Sequence, residues 1–555
     1  MTKSAGEYSG LSVLDARAKI VGVLKEAGLL KKEEEIEQNV GTSDRFGDII
    51  EVLPKTQWFI AVNKKISGRN KTLKELMKEA ISGAQVRITP KRFEKIYFNW
   101  IDNLRDWCIS RQIWWGHRIP VWYKKKLIAD SQEIYVGAES PGRGWKQDED
   151  TLDTWFSSGL WTFSTLGWPR KTKDLEIFHP TRWMQMGHEI LFFWMARMIL
   201  MSEYALREIP FRDVYIHGIL RDERWQKFSK SLGNALDPIE VADKYGTDAL
   251  RLSLMLGVSP GQDQRFYYEK VAGARNLVNK LWNISRFIVS REPRAVSREP
   301  TLADNWILAK FNTLIKEVTE DLENYNFSQA GEKLREFTWG DFADWYIEIS
   351  KIETMDRGRG TRILNDILEK LLIMWHPFIP FVTEVIWDEM LGKKNLIVAK
   401  WPKSAISHKL SSVNIREFEK IKSVVTKIRN LRAENKIEPG KIVNIELSVK
   451  EVGLFEENLA IIEGLSKSRA QIKKFSSSVP KIKILMSKLD AEENRSRMEK
   501  ELEEKERYSD GLKQRLANKE FVSRAPKQIV NTEREKLKKA EDEIKNLREQ
   551  LNQLR

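Results

Sequence analysis

The sequence predicts an α/β protein that continues into a large helical region and ends in a helical hairpin, and three observations predict it. The apolar run Val214-Tyr215-Ile216-His217-Gly218 reads as a strand that feeds the polar stretch Trp225-Gln226-Lys227-Phe228-Ser229-Lys230-Ser231-Leu232-Gly233-Asn234, a loop. From about 300 to 400, apolar residues recur at helical spacing, as in Trp306, Leu308, Phe311, Leu314 and Ile315. Near the end of the chain, Leu537, Ala540, Ile544, Leu547, Leu551 and Leu554 alternate three and four residues apart, which is a heptad seam.

The 555 residues are enough for roughly three or four domains. A hydrophobic content of 41% with 31% charged residues fits a water-soluble protein with true cores. Lys and Arg outnumber Asp and Glu by 94 to 80, a net +14 that favours a polyanionic partner, although ordinary soluble proteins carry similar excesses. The single cysteine, Cys108, excludes an intrachain disulfide and a Cys-rich zinc site, and it fits a reducing compartment. No signal peptide is recognisable, and the longest apolar run, Ile190 to Met201, is too short to span a bilayer and contains Arg197. A cytoplasmic protein with no membrane partner is therefore expected.

Taken in order, Leu14, Ala18, Val21 and Leu24 predict an amphipathic helix that stops near Gly28. Gly41 to Gly47 followed by Ile49-Ile50-Glu51-Val52 reads as a turn into a short strand. These first fifty-odd residues are too few to bury a core alone, so they read as the end of a domain that begins earlier. Trp100, Trp107, Trp114, Trp115 and Trp122 crowd one stretch, and core or interdomain packing is the expected role for most of them. Gly137 to Asp150 reads as a loop, and Thr151 to Met201 resumes a buried α/β pattern. Asp237-Pro238 opens a helix, and Leu250, Leu252 and Leu254 lie in the next one. Trp375 to Phe381 breaks the helical region. Ile415 to Arg432 reads as a helix beside β-like runs at Ile442 to Val449 and Ile482 to Met486, a small α/β appendage. Met498, Leu502, Leu512 and Leu516 mark a helix that Pro526 separates from the heptad helix, giving an antiparallel hairpin with arms on the order of 40 Å. At its bend Lys513, Arg515, Lys519, Arg524 and Lys527 outnumber Glu520, which suits a phosphate contact. A solvated dimerisation hairpin is the alternative.

The chemistry concentrates in the loop. Two lysines three residues apart, Lys227 and Lys230, can follow a polyphosphate as its charge shifts. Lys-x-Ser-Lys-Ser resembles the second ATP-binding signature of class I aminoacyl-tRNA synthetases, with Phe228 where Met is usual. The companion His-x-Gly-His signature occurs nowhere in the chain.

The resemblance extends along nearly the whole chain and is closest to the valyl-tRNA synthetase family. It is carried by Asp106-Trp107-Cys108-Ile109-Ser110-Arg111-Gln112 with Trp114-Trp115-Gly116-His117, by Leu152-Asp153-Thr154-Trp155-Phe156-Ser157-Ser158-Gly159, and by Asp341-Phe342-Ala343-Asp344-Trp345-Tyr346. It implies the second half of a Rossmann-type nucleotide-binding domain, an α-helical anticodon-binding domain, a small α/β appendage and a C-terminal antiparallel coiled-coil hairpin. The implied boundaries are 1–60 for the end of an inserted editing domain, 61–98 for a connector and 99–220 for the second half of the catalytic domain. The lysine-loop and stem-contact region follows at 221–300, the anticodon-binding domain at 301–404, the appendage at 405–485 and a tRNA-binding arm at 486–555.

The implied activity is valine–tRNA ligation: valine and ATP give valyl-adenylate and pyrophosphate, and the acyl group passes to tRNA(Val). By resemblance Lys227 and Lys230 hold the leaving pyrophosphate, and His217, Gly218, Ser229, Ser231 and Glu189 contribute to ATP binding, with Mg2+ accompanying the nucleotide. Glu189 stands where the family usually has Asp. Trp155 and Trp194 are implied walls of the valine pocket, and Trp345 and the basic residues of the hairpin bend are implied tRNA contacts. No metal site is implied. The His-x-Gly-His half and most of the editing domain are expected to lie outside this chain, so no hydrolytic correction of its own is expected. Three readings stay open: half of a ligase needing an N-terminal half, a non-catalytic tRNA-binding module, or a structural remnant.

Overall fold

The computed structural model describes all residues except 38, 44–46, 48, 51–54, 126–131, 230–232, 292–299, 353–358, 404–411, 478, 486–487, 520–521, 523–525 and 554–555. Two compact units emerge, one of Met1–Val62 with Arg105–Thr154, the other of Asn63–Leu104 with Trp155–Arg555. Among the described residues no helix is long and apolar enough to cross a membrane.

In the first unit the opening segment does what fifty residues cannot do alone, by borrowing partners from later in the chain. The short strand Phe59–Ile60 pairs antiparallel with Trp107–Cys108. The Trp58 indole donates to Asp148 (2.9 Å), Lys55 pairs with Asp150 (2.9 Å), and the Val62 amide donates to Asp106 (3.0 Å). The helix predicted from Leu14 forms as Val13–Glu26, capped by Ser12, but only Ala16 is buried and Leu14 is exposed. Of the turn expected to feed a strand at Ile49, the described residues hold an antiparallel bridge between Thr42 and Ile49, with the Gly47 amide donating to the Ser43 carbonyl (2.8 Å) and the Ile50 amide to the Gly41 carbonyl (2.9 Å). The segment read as a loop, 137–150, contributes the strand Lys146–Gln147 to a three-stranded sheet with Val121–Lys125 and Gln132–Val136.

Packing does not account for every tryptophan in this region. Trp107 is buried and donates to Asp153 (2.9 Å). Trp114 and Trp115 instead sit in a bend just before Gly116 and are fully exposed, because the turn throws both side chains outward.

The second unit is built on a three-stranded parallel sheet. Its central strand, Phe211–His217, runs between Arg87–Thr89 and Thr181–Gly187. Val214, Ile216, Met184, Met186 and Ile88 are buried, and the helix Ala196–Ala205 buries Met198, Ile199 and Leu200. The stretch read as a connector, 61–98, therefore supplies a strand of this sheet and the helices Leu73–Ser82 and Arg92–Asp102. Their apolar residues, Met77, Ile81, Phe93, Tyr97 and Ile101, recur at helical spacing and are all buried.

Beyond the sheet, one hydrophobic core runs from Val241 to Leu465, so the boundaries drawn at 300 and 404 do not divide it. The helix Leu302–Glu323 starts at a capping box between Thr301 and Asp304 and buries Trp306, whose ring packs on Phe418 (4.5 Å) while its indole donates to Glu419 (3.0 Å). One helix ends at Trp375 and the next begins at Pro380, where the sequence places the break. The last sheet pairs Val443–Val449 with Lys481–Leu485 and adds Ser468–Lys474, a Lys- and Arg-bearing strand that its composition conceals.

The last two helices, Lys488–Ala517 and Lys527–Gln553, pack antiparallel: Arg515 pairs with Glu533, Lys513 with Glu541, and Arg548 with Glu506. Met498, Leu512, Val530 and Ala540 are buried between them. Leu554 and most of the bend, with Glu520 and Arg524, lie outside the described residues.

Candidate active site

Open parallel sheets bind ligands beyond the carboxyl ends of their strands. At that edge His217 and Gly187 are register partners, and the His217 ring lies alongside Gly187, 3.4 Å from where a Cβ would stand. The His217 Nδ1 donates to the Gly218 carbonyl (2.6 Å). Gly218 itself has no room: a Cβ would lie 1.8 Å from the Gln262 carbonyl oxygen. The two backbones approach so closely because Leu220–Arg221 pairs parallel with Gln264–Arg265.

Asp263 ties this corner together. Its carboxylate accepts from the Ile219 amide (2.8 Å), the Arg221 Nε (2.5 Å) and the His188 Nε2 (2.9 Å). Burial raises its pKa, but the donors outweigh that and bring it to about 2. His188 and Glu189 follow directly from the neighbouring strand in a single 3-10 turn, His188–Ile190, and Phe93 stacks against His188 (6.4 Å between centroids).

Two of the expected ATP-binding residues meet here. The Lys227 Nζ donates to both oxygens of Glu189, at 2.8 and 3.1 Å. Both side chains are exposed, so the pair is worth little as stability, but it places the lysine over the strand ends. Phe228 turns inward against the core and meets Phe266 edge-on (6.4 Å), which is why an aromatic residue serves where methionine is usual. The root of the loop is a turn whose Trp225 has φ 64°, a conformation that costs a non-glycine residue about 1–2 kcal/mol. The Arg265 guanidinium over its ring (4.8 Å) offsets part of that. Ser229 lies in the described part of the loop, whereas Lys230 and Ser231 lie outside the described residues.

The expected valine-pocket residues sit on two facing elements. Trp155, on the helix Thr154–Ser164, stacks on Phe193 (5.7 Å), and Trp194 packs against Trp161 (6.0 Å) and donates to the Ser158 carbonyl (3.1 Å). Trp194 and Phe193 belong to a π-helical turn, Leu191–Met195, a feature frequent at functional sites. Gly159 permits this approach, since a Cβ there would stand 3.1 Å from Met201 and 3.4 Å from the Arg197 carbonyl.

The remaining expected sites separate. Trp345 is 8% exposed in the helical core, with Lys422 and Arg429 over its ring at 5.2 and 5.1 Å. Its face is taken up by cations of the same chain, so it packs rather than presenting itself to a nucleic-acid base. Lys513 and Arg515 are exposed but pair with Glu541 (3.0 Å) and Glu533 (3.5 Å), while Lys519 and Lys527 stand exposed beside the bend.

The parallel sheet, the strand-end site and the lysine loop define a class I aminoacyl-tRNA synthetase fold. Residues 32–267 match the family of tRNA synthetases class I (I, L, M and V), and 304–447 match the anticodon-binding domain of tRNA ligase. Methionyl-tRNA synthetase of Mycobacterium tuberculosis in complex with methionyl-adenylate shares the fold (TM-score 0.51, 18% identity, 68% of this chain and 72% of that one). Residues 490–555 match the valyl tRNA synthetase tRNA binding arm. Valine–tRNA ligases of Carboxydothermus hydrogenoformans and Bacillus subtilis are 39% and 37% identical, each over 97% of this chain. That of Oceanobacillus iheyensis is 38% identical over all of it. The chain belongs to the valyl-tRNA synthetase family. It spans 63%, 63% and 65% of the length of those three relatives, respectively.

Proposed function

We propose that this chain is the C-terminal portion of a valine–tRNA ligase, which activates valine with ATP and charges tRNA(Val) when completed by an N-terminal half. The observation that carries the reading is Lys227 held over the strand ends by Glu189, on a loop rooted at His217 and Gly218. In the reaction a valine carboxylate oxygen attacks the α-phosphorus, a carboxyl–phosphate bond forms, and the bond to pyrophosphate breaks. No residue need be acylated, because the work is alignment and charge stabilisation. Lys227 would exchange the Glu189 carboxylate for the leaving phosphates, with Lys230 beside it. Trp155 and Trp194 would wall the valine side chain. Among the described residues no group of three or more His, Cys, Asp or Glu side chains is placed to hold a metal, so Mg2+ would arrive on the nucleotide.

The decisive assay is valine-dependent ATP–pyrophosphate exchange, with the chain alone and with a polypeptide supplying the His-x-Gly-His half. Exchange is expected only in the mixture, and Lys227→Ala should lower it about a hundredfold, near 3 kcal/mol of transition-state stabilisation. Silence in the mixture, with tRNA binding intact, would instead support a non-catalytic tRNA-binding module.

The antiparallel helix pair is proposed as the coiled-coil tRNA-binding arm, with Lys513, Arg515, Lys519, Arg524 and Lys527 as its phosphate contacts. Affinity for tRNA should then fall steeply between 50 and 200 mM salt. Replacing Lys519 and Lys527 together by alanine should reduce the slope of log K against log salt by about 2, one contact each. A slope unchanged by the double variant would remove the bend from the interface.

A further inference from the structure

The lysine loop is closed at its root by two side chains that the ATP-site reading does not use. Asn234 reaches back across the loop: its Oδ1 accepts from the Ser229 amide (2.9 Å), and its Nδ2 donates to the Lys227 carbonyl (3.2 Å) and to the Asp222 Oδ2 (2.9 Å). Asp222 in turn accepts, through Oδ1, from the amides of Arg224 (2.9 Å) and Gln226 (2.8 Å), and its own amide donates to the Gln226 carbonyl (2.9 Å). An antiparallel bridge between Arg221 and Lys227 completes the turn. The Asn234 hydrogen bond and the two amides hold the Asp222 carboxyl below the usual carboxylate range, so it stays an acceptor at neutral pH.

We propose that Asp222 and Asn234 are positioning residues, a clasp that fixes the backbone on both sides of Lys227 so that its ammonium projects over the strand ends. The inference rests on the reading of Lys227 as a phosphate ligand. A four-carbon stem bearing a point charge is selective only if its origin is fixed. Phe228 anchors the side of the loop facing the core, and the clasp bonds the flanking peptide groups of Lys227 and Ser229. One amide side chain is suited to this because it both accepts and donates, which neither a carboxylate nor a hydrophobic isostere does.

The test compares the full chain, completed by the polypeptide that supplies the His-x-Gly-His half, with its Lys227→Ala, Asn234→Ala and Asn234→Asp variants and with the reciprocal pair Asp222→Asn plus Asn234→Asp in the same mixture. Asn234→Asp places a second carboxylate against Asp222, and ATP–Mg2+ affinity, by calorimetry, should weaken about tenfold. The reciprocal pair restores a donor opposite an acceptor between positions 222 and 234, though not the donor to the Lys227 carbonyl, and should recover part of the loss, to within about threefold of the starting affinity. Thermal midpoints of the two should stay close, so a merely structural defect would not produce the recovery. A reciprocal pair as weak as Asn234→Asp, or Asn234→Ala binding as tightly as the parent, overturns the clasp. If the parent chain shows no ATP binding sensitive to Lys227→Ala, the phosphate role fails separately. The clasp is then decided by hydrogen exchange at the Ser229 amide: slow exchange lost in Asn234→Ala upholds it, and equal exchange rejects it.

Discussion

Replacing Gly218 by alanine should displace the end of the central strand and cost about 3 kcal/mol or more. The added Cβ would lie 1.8 Å from the Gln262 carbonyl oxygen, 2.1 Å from its carbon and 2.5 Å from the Asp263 nitrogen. All three are backbone atoms, held by the bridge of Leu220 to Gln264 and by the hydrogen bond from the Gln264 amide to Ile219. No rotamer change relieves the clash, so one backbone must move, and Asp263 moves with it. The control is Gly187→Ala, on the neighbouring strand, where the nearest atom is the His217 Cε1 at 3.4 Å. A ring can turn by the few tenths of an ångström required, so that variant should cost less than about 1 kcal/mol. Urea unfolding of the three proteins checks the contrast, and equal midpoints would mean that the two backbones are not in contact.

Much of this was legible in the sequence because it rests on local rules. The strand at Val214, the loop that follows, the break between Trp375 and Pro380, and the heptad positions Leu537, Ala540, Ile544 and Leu547 are each set by neighbours within a turn or two. Lys227 and Glu189 are both candidate site residues by resemblance, although nothing in their separation shows that they pair. What could not be read depends on distant partners. Asp263 lies far along the chain from both Ile219 and His188, in a stretch with no periodicity. The Arg87–Thr89 strand is too short to announce itself and exists because Phe211–His217 pairs with it. Trp345 and Trp114 fail in opposite directions for one reason. An aromatic residue's type fixes how much surface it offers, and only the tertiary fold decides whether that surface is covered. Asn234 sat within the motif, but its role shows only once the loop closes on itself.

Removing the Asp263 carboxylate by alanine should be the other large effect, about 3 kcal/mol. It leaves the Ile219 amide, the Arg221 Nε and the His188 Nε2 without their common acceptor, in a corner where the backbone of Gln262 leaves little room for water. Loosening would begin at the residue after Gly218 and reach the turn that carries Glu189, so both sides of the site would drift together. The pH dependence identifies the charge as the cause. Burial alone would raise the carboxyl's pKa, yet its three donors lower it to about 2, below the roughly 3.9 of an unfolded Asp. A depressed folded pKa means that the ionised form stabilises the fold. That contribution is complete above about pH 5 and is lost as pH falls toward 2. The stability gap between the parent and Asp263→Ala, followed through hydrogen exchange at Ile219, should therefore be constant from neutral pH down to about 5 and then close. A gap that persists unchanged to pH 2 would show that Asp263 acts through packing alone. Asp263→Asn separates the two further: it keeps the shape and one acceptor, so it should retain part of the gap at neutral pH and show none of the acid dependence.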